Sequence, residues 1–312
     1  MTLTLLFAAG GDAWTDYAPH LDAAIAEEGL DARLVTATDA PGEIDYIIYA
    51  PDSGLRDFAP YTRLKAVMSL WAGVESIVDT PSLTVPLCRM VDPGLTEGMV
   101  EWVTGHVLRH HLGMDRHILG QDGVWRNEVV PPLARHRPVG LLGLGALGAA
   151  VGRALVGLGF PVHGWSRSAK RLDGITCRHG ADGLAATLAE AQILVSLLPA
   201  TAATDGLLDA DALALLPKGA VFINPGRGSV VDDAALLAAL DAGRMDHATL
   251  DVFRTEPLPA DHPFWAHPRV TVTPHIASAT RPDTAAQSVI ANIANHERGA
   301  PLAHQVDRSA GY

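Results

Sequence analysis

The chain has 312 residues, 48% of them hydrophobic, and a formal charge of -12. That length and apolar content are enough for two domains of ordinary size, each with its own core. The acid excess excludes a broad electrostatic footprint for nucleic acid or an anionic membrane surface, so any anion site must be local and neither class of partner is expected.

From the N-terminus, residues 3–9 form a short apolar run with no basic leader before it, and read as a first strand rather than a signal peptide. The amphipathic stretch 20–29 predicts a helix, and the apolar runs 32–37, 44–50, 64–70 and 83–90 predict further strands. This alternation predicts a small α/β domain. A long helix is expected from about Thr96 to Gln121, capped by Thr96 and linking two domains. His106, His110 and His111 lie on it, with His106 and His110 one turn apart. Without an H-E-x-x-H pattern or a third ligand they read as part of a solvated or interface helix, and no metal is expected.

Beyond the loop around Pro131 to Pro138, strands are predicted at 138–145, 160–166, 193–199, 219–226, 248–253 and 269–275. Near-continuous apolar strands separated by helices require a parallel sheet covered on both faces. A final helix, about Arg281 to Arg298, is expected to return to the first domain. The uncharged stretch from Pro138 to Gly152 is shorter than the ~20 residues of a membrane span. Cys88 and Cys177 form no C-x-x-C pair and no disulfide framework, which suits a reducing compartment and points to the cytoplasm.

Gly143, Gly145 and Gly148 form G-x-G-x-x-G between a predicted strand and a predicted helix. The first glycine permits the tight turn, the second lets the backbone approach a pyrophosphate, and the third allows close helix packing. Ala146 and Leu147 complete a helix start whose amides can serve phosphates. About twenty residues on, an NAD-binding enzyme usually presents an acid to the ribose 2'-hydroxyl. Here the chain reads Ser166, Arg167, Ser168, Ala169, Lys170, Arg171 instead. Hydroxyls and a guanidinium suit a 2'-phosphate, so NADPH is preferred and NADH is the alternative; a solvated surface turn is the competing explanation of the stretch.

Three segments follow in order: residues 223–236 with Arg227, 250–259 with Asp251 and Glu256, and 272–278 with His275. With the glycine turn, they make the chain resemble the D-isomer-specific 2-hydroxyacid dehydrogenase family, most closely its bacterial glyoxylate/hydroxypyruvate reductase A branch. The resemblance runs through residues 64–298; the first sixty match mainly in their α/β pattern. It implies a Rossmann-type dinucleotide-binding domain over residues 100–280, and a smaller flavodoxin-like α/β substrate domain formed by both chain ends, 1–99 and 281–312. The active cleft would lie between them, in a homodimer.

The implied reaction is hydride transfer from the cofactor to a small 2-keto acid: glyoxylate to glycolate, hydroxypyruvate to glycerate. Negative charge then develops on the carbonyl oxygen, which must receive a proton. His275 is the suited acid, because imidazole exchanges protons in the physiological range. Glu256 can bond the far ring nitrogen and favour the protonated form. Arg227 would hold the substrate carboxylate and polarise the keto oxygen.

The resemblance also implies that backbone amides of the loop Trp71-Ala72-Gly73 meet the substrate carboxylate. Trp71, where many relatives carry Gly or Ala, would either narrow the pocket towards small substrates or serve as a buried packing aromatic. By the same resemblance Asp251 contacts the nicotinamide carboxamide, Leu198, Pro199 and Thr204 contact the cofactor at a strand end, and Pro225 lines its cleft. Two alternatives share these motifs: a dehydrogenase of another 2-hydroxy acid using NADH, and a non-catalytic dinucleotide sensor resembling the C-terminal-binding corepressors.

Overall fold

A computed structural model of the protein describes residues 2–127, 129–308 and 311. The chain divides into two compact units, Met1–Leu95 with Thr280–Tyr312, and Thr96–Ala279.

The first unit is built on five parallel strands: β1 (Leu3–Ala8), β2 (Ala32–Val35), β3 (Tyr46–Tyr49), β4 (Ala66–Ser69) and β5 (Leu87–Cys88). Their spatial order, β2-β1-β3-β4-β5, is the flavodoxin-like one. Every residue of β3 and β4 is buried, which explains their composition, apolar but for the closing Ser69. Helix α1 spans Ala13–Glu27, starting seven residues before the predicted stretch, with Pro19 inside it. Its buried face runs through Tyr17, Leu21 and Ala24, so helical periodicity continues across the proline.

Helix α2 (Pro93–Leu112) begins in the first unit and continues into the second. Its expected cap at Thr96 is corrected. The buried Asp92 carboxylate accepts from the amides of Gly94 and Leu95, with Pro93 opening the helix, so capping is complete before Thr96 is reached. Gly113, in the left-handed region at φ 61°, ends α2 short of Gln121, and a short α3 (Met114–Ile118) follows.

In the second unit the strands are β6 (Val139–Leu142), β7 (Val162–Ser166), β8 (Ile175–His179), β9 (Ile193–Ser196), β10 (Ala220–Asn224), β11 (Met245–Leu250) and β12 (Val270–Val272). They pair in the order β12-β11-β10-β9-β6-β7-β8, all parallel. This is the Rossmann order with one added edge strand. Helices α4 (Ala146–Gly157), α5 (Gly180–Glu190), α6 (Ala210–Leu215) and α7 (Asp233–Asp241) connect them. One core cluster packs α5, α6 and α7 against one face; the other packs α2 and α4 against the opposite face. The edge strand β8 has no counterpart among the predicted strands, because only Ile175 in it is fully buried and its composition carries no apolar run.

The chain returns to the first unit through α8 (Pro282–Glu297), which packs on α1. The buried Tyr46 hydroxyl meets His296 Nδ1 at 2.6 Å, and Lys65 pairs with Glu297 at 2.7 Å, fastening the helix to β3 and β4. Among the described residues no helix is long and apolar enough to cross a membrane.

Candidate active site

Adjacent parallel strands release their C-terminal loops at one edge of a sheet, and β10, β11 and β12 are such neighbours. Arg227 follows β10, Glu256 follows β11, and His275 follows β12. The turn after β10 is shaped by Asn224, which is wholly buried. Its side-chain amide donates to Arg227 O (3.0 Å) while its Oδ1 accepts from Gly226 N (3.2 Å). A Cβ on Gly228 would lie 2.0 Å from the carbonyl carbon of Phe253, so glycine lets the Arg227 turn rest on the backbone leaving β11. The half-buried Arg227 guanidinium donates to Gly226 O at 2.8 Å.

Glu256 uses its two oxygens differently. Oε1 accepts from Phe253 N at 2.8 Å, which fixes the carboxylate on its own loop, and Oε2 lies 2.6 Å from His275 Nδ1. That separation is typical of a charge-assisted bond. With Nδ1 engaged and the His275 side chain 51% exposed, Nε2 is the nitrogen left for a reacting group.

The backbone of His275 lies in the left-handed region, at φ 54°. Such a conformation costs a non-glycine residue about 1–3 kcal/mol and persists only when its surroundings over-determine it. Asp251 supplies that determination. Its carbonyl oxygen accepts from His275 N (2.9 Å), and its wholly buried carboxylate accepts from the Thr273 hydroxyl, Ile276 N (2.9 Å) and Ala277 N (2.8 Å).

At the switch point between β6 and β9, the glycine turn has the shape a dinucleotide requires. Gly143 sits at φ 99°, where a Cβ would also lie 2.8 Å from Leu197 O, and a Cβ on Gly148 would fall 1.8 Å from Gly143 O. Around Gly145 a Cβ would meet nothing within 4 Å, so the side from which a pyrophosphate would approach is open. Helix α4 has no side-chain cap at its N-terminus, leaving the amides of Ala146, Leu147 and Gly148 to face an incoming anion. The residues present fit a dinucleotide phosphate. Across the switch point, Leu198 is buried, and the Thr204 hydroxyl donates to Pro199 O at 2.6 Å, closing the loop after β9. Pro225 is buried beneath the Arg227 turn. Ser166 is buried at the end of β7 and donates to Ser168 O (2.8 Å), while Arg167, Ser168 and Lys170 are exposed.

Residues 103–277 match the model of the D-isomer specific 2-hydroxyacid dehydrogenase NAD binding domain. The chain belongs to the D-isomer specific 2-hydroxyacid dehydrogenase family.

Among members of the family, it is 39% identical to a glyoxylate/hydroxypyruvate reductase A of Yersinia enterocolitica, over 95% of this chain and 98% of that one. Its structure is similar to that of a family member from Xanthobacter autotrophicus in complex with NADPH, at a TM-score of 0.92 and 42% identity with both chains fully covered. An NADPH-dependent glyoxylate/hydroxypyruvate reductase from Sinorhizobium meliloti, in complex with NADP and sulfate, gives a TM-score of 0.84 at 36% identity, again over the whole of both chains.

In the first unit, Trp71 is 46% exposed, which overturns the reading of it as a buried packing aromatic. Ser69 holds the loop that carries Trp71, Ala72 and Gly73: its hydroxyl donates to Trp71 O (2.9 Å) and accepts from Trp71 N (3.1 Å). The histidines of α2 are packed within the second unit rather than solvated. The His106 ring lies tilted against Trp102 with centroids 4.2 Å apart, His110 Nε2 meets Thr249 Oγ1 at 2.9 Å and its ring centroid lies 5.0 Å from that of His247, and His111 is buried against Phe160. Burial pushes the His110 imidazole down to about 3, with the like charges of His247 and Arg109 acting in the same direction. Asn224 and Thr273 are the supporting residues that the sequence pattern left unmarked. For Asn224, a polar residue closing an otherwise apolar strand was the available signal.

Proposed function

We propose that the protein is an NADPH-dependent reductase of small 2-keto acids, converting glyoxylate to glycolate and hydroxypyruvate to glycerate. The observation that carries this reading is the Glu256–His275 pair, joined at 2.6 Å on a half-exposed ring beyond a dinucleotide-type turn. Relatives at about 40% identity that bear the name glyoxylate/hydroxypyruvate reductase A support the substrates. NADPH- and NADP-bound structural relatives support the cofactor.

In this reading NADPH, when bound at the glycine turn, supplies the hydride. Arg227 holds the substrate carboxylate and draws charge towards the keto oxygen. The proton on His275 Nε2 passes to that oxygen as the carbonyl carbon is reduced, while the Glu256 carboxylate steadies the ring through Nδ1. The imidazole then recovers a proton from solvent. Ser166, Arg167, Ser168 and Lys170 are assigned to the 2'-phosphate, and Gly143 to Gly148, Leu198, Pro199, Thr204, Pro225 and Asp251 to the cofactor cleft. Trp71, Ala72 and Gly73 are assigned to the substrate, with Trp71 bearing on its size.

The working form is taken to be a homodimer in the cytoplasm. Several exposed large apolar side chains between residues 118 and 130, Ile118, Leu119, Val124, Trp125, Val129 and Val130, support the dimer, since a partner copy could cover them. The free Cys88 and Cys177 suit a reducing compartment. The test of the function is direct. Purified protein mixed with NADPH and glyoxylate or hydroxypyruvate should consume the reduced cofactor, faster than with NADH; no turnover of either acid with either cofactor sinks the reading.

A further inference from the structure

Arg254, two residues before Glu256, carries a cation that the proposed chemistry does not use. Its guanidinium is committed within the second unit: Nη1 donates to Asp205 Oδ1 at 3.0 Å and Nη2 donates to Ser229 O at 2.9 Å. The partners lie on two other loops. Asp205 follows Thr204 in the loop after β9, Ser229 lies two residues beyond Arg227 in the turn after β10, and Arg254 itself stands in the loop after β11. One planar group with its donors in a fixed fork thus ties together the loops of three adjacent strands.

Ser229 O is the common point. It also accepts from Gly206 N at 2.8 Å, so a single carbonyl joins the loop after β9 to the loop after β11. Beside it, Gly228 rests on the backbone of Phe253 and Arg254, where a Cβ would lie 2.5 Å from Arg254 N. Packing of that kind prevents a closer approach but leaves the turn free to lift away, and the Arg254 bond opposes lifting. Glu256 has anchors of its own, at Phe253 N and His275 Nδ1, so the clamp bears on Arg227 more than on the acid–base pair. Its ion pair, with the Arg254 and Asp205 side chains 41% and 58% exposed, adds little to folding stability. Placement is a more sensitive quantity, since a reacting group displaced by about 1 Å can cost roughly 10²-fold in rate.

Resting on the assignment of Arg227 to the substrate carboxylate, we infer that Arg254 is a positioning residue for the reduction: it holds the Arg227 turn against the loop of Glu256, so that the carboxylate anchor and the proton donor keep a fixed separation. Arg254 acts through the Ser229 carbonyl, and Asp205 orients the guanidinium for that bond. Loss of the clamp therefore weakens the grip on the keto acid more than it slows proton transfer. The pairing of Glu256 with His275 is left as it was.

The test measures kcat and KM for glyoxylate with NADPH, the NADPH dissociation constant by fluorescence titration, and Tm, on the wild type, Arg254→Ala, Arg254→Lys, Asp205→Ala, the Asp205→Ala/Arg254→Ala double variant and Arg227→Ala. Arg254→Ala should raise KM about tenfold while kcat falls less, with NADPH affinity and the midpoint of the pH profile of kcat/KM unmoved. Arg254→Lys, which keeps a cation that can reach Ser229 O, should recover part of the loss. Asp205→Ala should raise KM by about twofold to fivefold, and the double variant should be no worse than Arg254→Ala alone. KM is independent of the amount of active protein, and Asp205→Ala, altered on a different loop, guards against a folding defect in the arginine variants. If Arg227→Ala raises KM but the Arg254 and Asp205 variants do not, the inference falls while the role of Arg227 stands. Equal losses in Arg254→Lys and Arg254→Ala with a lowered Tm would reduce Arg254 to a structural residue, and weakened NADPH binding would make it a cofactor contact; either overturns the inference. If Arg227→Ala leaves KM unchanged, or the wild type does not reduce glyoxylate, the underlying reading falls as well.

Discussion

Asp251 holds His275 in place without touching its imidazole: the aspartate carbonyl accepts from His275 N at 2.9 Å, and its carboxylate gathers the amides of Ile276 and Ala277 just beyond. Both carboxylate oxygens are thus committed within the chain. Asp251→Asn puts an NH2 group where one of them accepts, leaving at least one buried amide unpaired at a cost of about 1–3 kcal/mol. The positive-φ loop should relax and kcat should fall about tenfold or more, since misplacing a reacting group weakens catalysis steeply. NADPH affinity, followed by fluorescence titration, separates two roles for Asp251. Unchanged affinity with reduced kcat marks it as the holder of the His275 loop, whereas weakened NADPH binding marks a direct cofactor contact.

The acid–base pair and the anchoring arginine should fail in different ways. His275→Ala removes the proton donor and should lower kcat by about 10²–10⁴-fold with a small change in KM. Glu256→Gln keeps a hydrogen-bonding group near Nδ1 but removes its charge, and should fall between that variant and the wild type. Arg227→Ala should raise KM as well as lower kcat, because the guanidinium is assigned to the carboxylate in the ground state and to the oxygen in the transition state. Equal effects of all three on KM and kcat would refute the division of roles.

Cofactor preference should respond to Arg167, which is exposed next to Ser166 at the end of β7. Loss of a charge-assisted contact to the 2'-phosphate is worth about 1.5–3 kcal/mol, or roughly 10- to 150-fold in affinity. Arg167→Ala should therefore weaken NADPH by that factor and NADH hardly at all, measured as the two dissociation constants. A parallel loss of both would place Arg167 outside the 2'-phosphate site.

What could be read from the chain and what could not divide along physical lines. β3, β4, β9 and β10 are buried along their whole length, so their apolar runs stood out from the linear sequence. The edge strand β8 is mostly half-exposed and polar, and carried no such run. Gly143, Gly145 and Gly148 were legible because a turn that approaches phosphate tolerates little else. The Asp251 network was not, because its partners lie more than twenty residues on and meet it only once β11 and β12 pair. The cap of α2 moved from Thr96 to Asp92 because a carboxylate ahead of a proline competes better for the free amides than a threonine within the first turn.

Acid should destabilise the second unit through the histidines packed between α2 and β11. Burial lowers His106, His110 and His247, with Arg109 adding to the effect on all three and Asp115 opposing it. In the unfolded chain each would titrate near ~6.5, whereas His110 folded titrates at about 3. Between those values the unfolded state binds the extra proton, so the stability is fully present above the unfolded value and is lost as pH falls below it. Each such histidine should remove up to about 1.4 kcal/mol per pH unit, and a domain of this size loses roughly 2–4 °C in Tm per kcal/mol. Thermal melts from pH 7 to pH 5 should show that decline, and His110→Gln, which keeps a neutral partner for Thr249, should flatten it. A wild-type melt that ignores pH over this interval would show that these histidines gain no proton on unfolding.

The exposed apolar side chains after α2 give the proposed dimer a point of attack distant in sequence from the reacting groups. Trp125 is 88% exposed, and Val124, Val129 and Val130 in the same segment are also uncovered. Aromatic anchors of this kind carry a disproportionate share of interface energy, with truncation costing about 2 kcal/mol or more at a hot spot. Trp125→Asp removes the anchor and places a charge where a partner copy would have to desolvate it. Sedimentation velocity at micromolar concentration should show the wild type as a dimer and Trp125→Asp as predominantly monomer with the same circular dichroism spectrum. A wild type that sediments as a monomer, or a dimer that survives the substitution, would remove this segment from the interface.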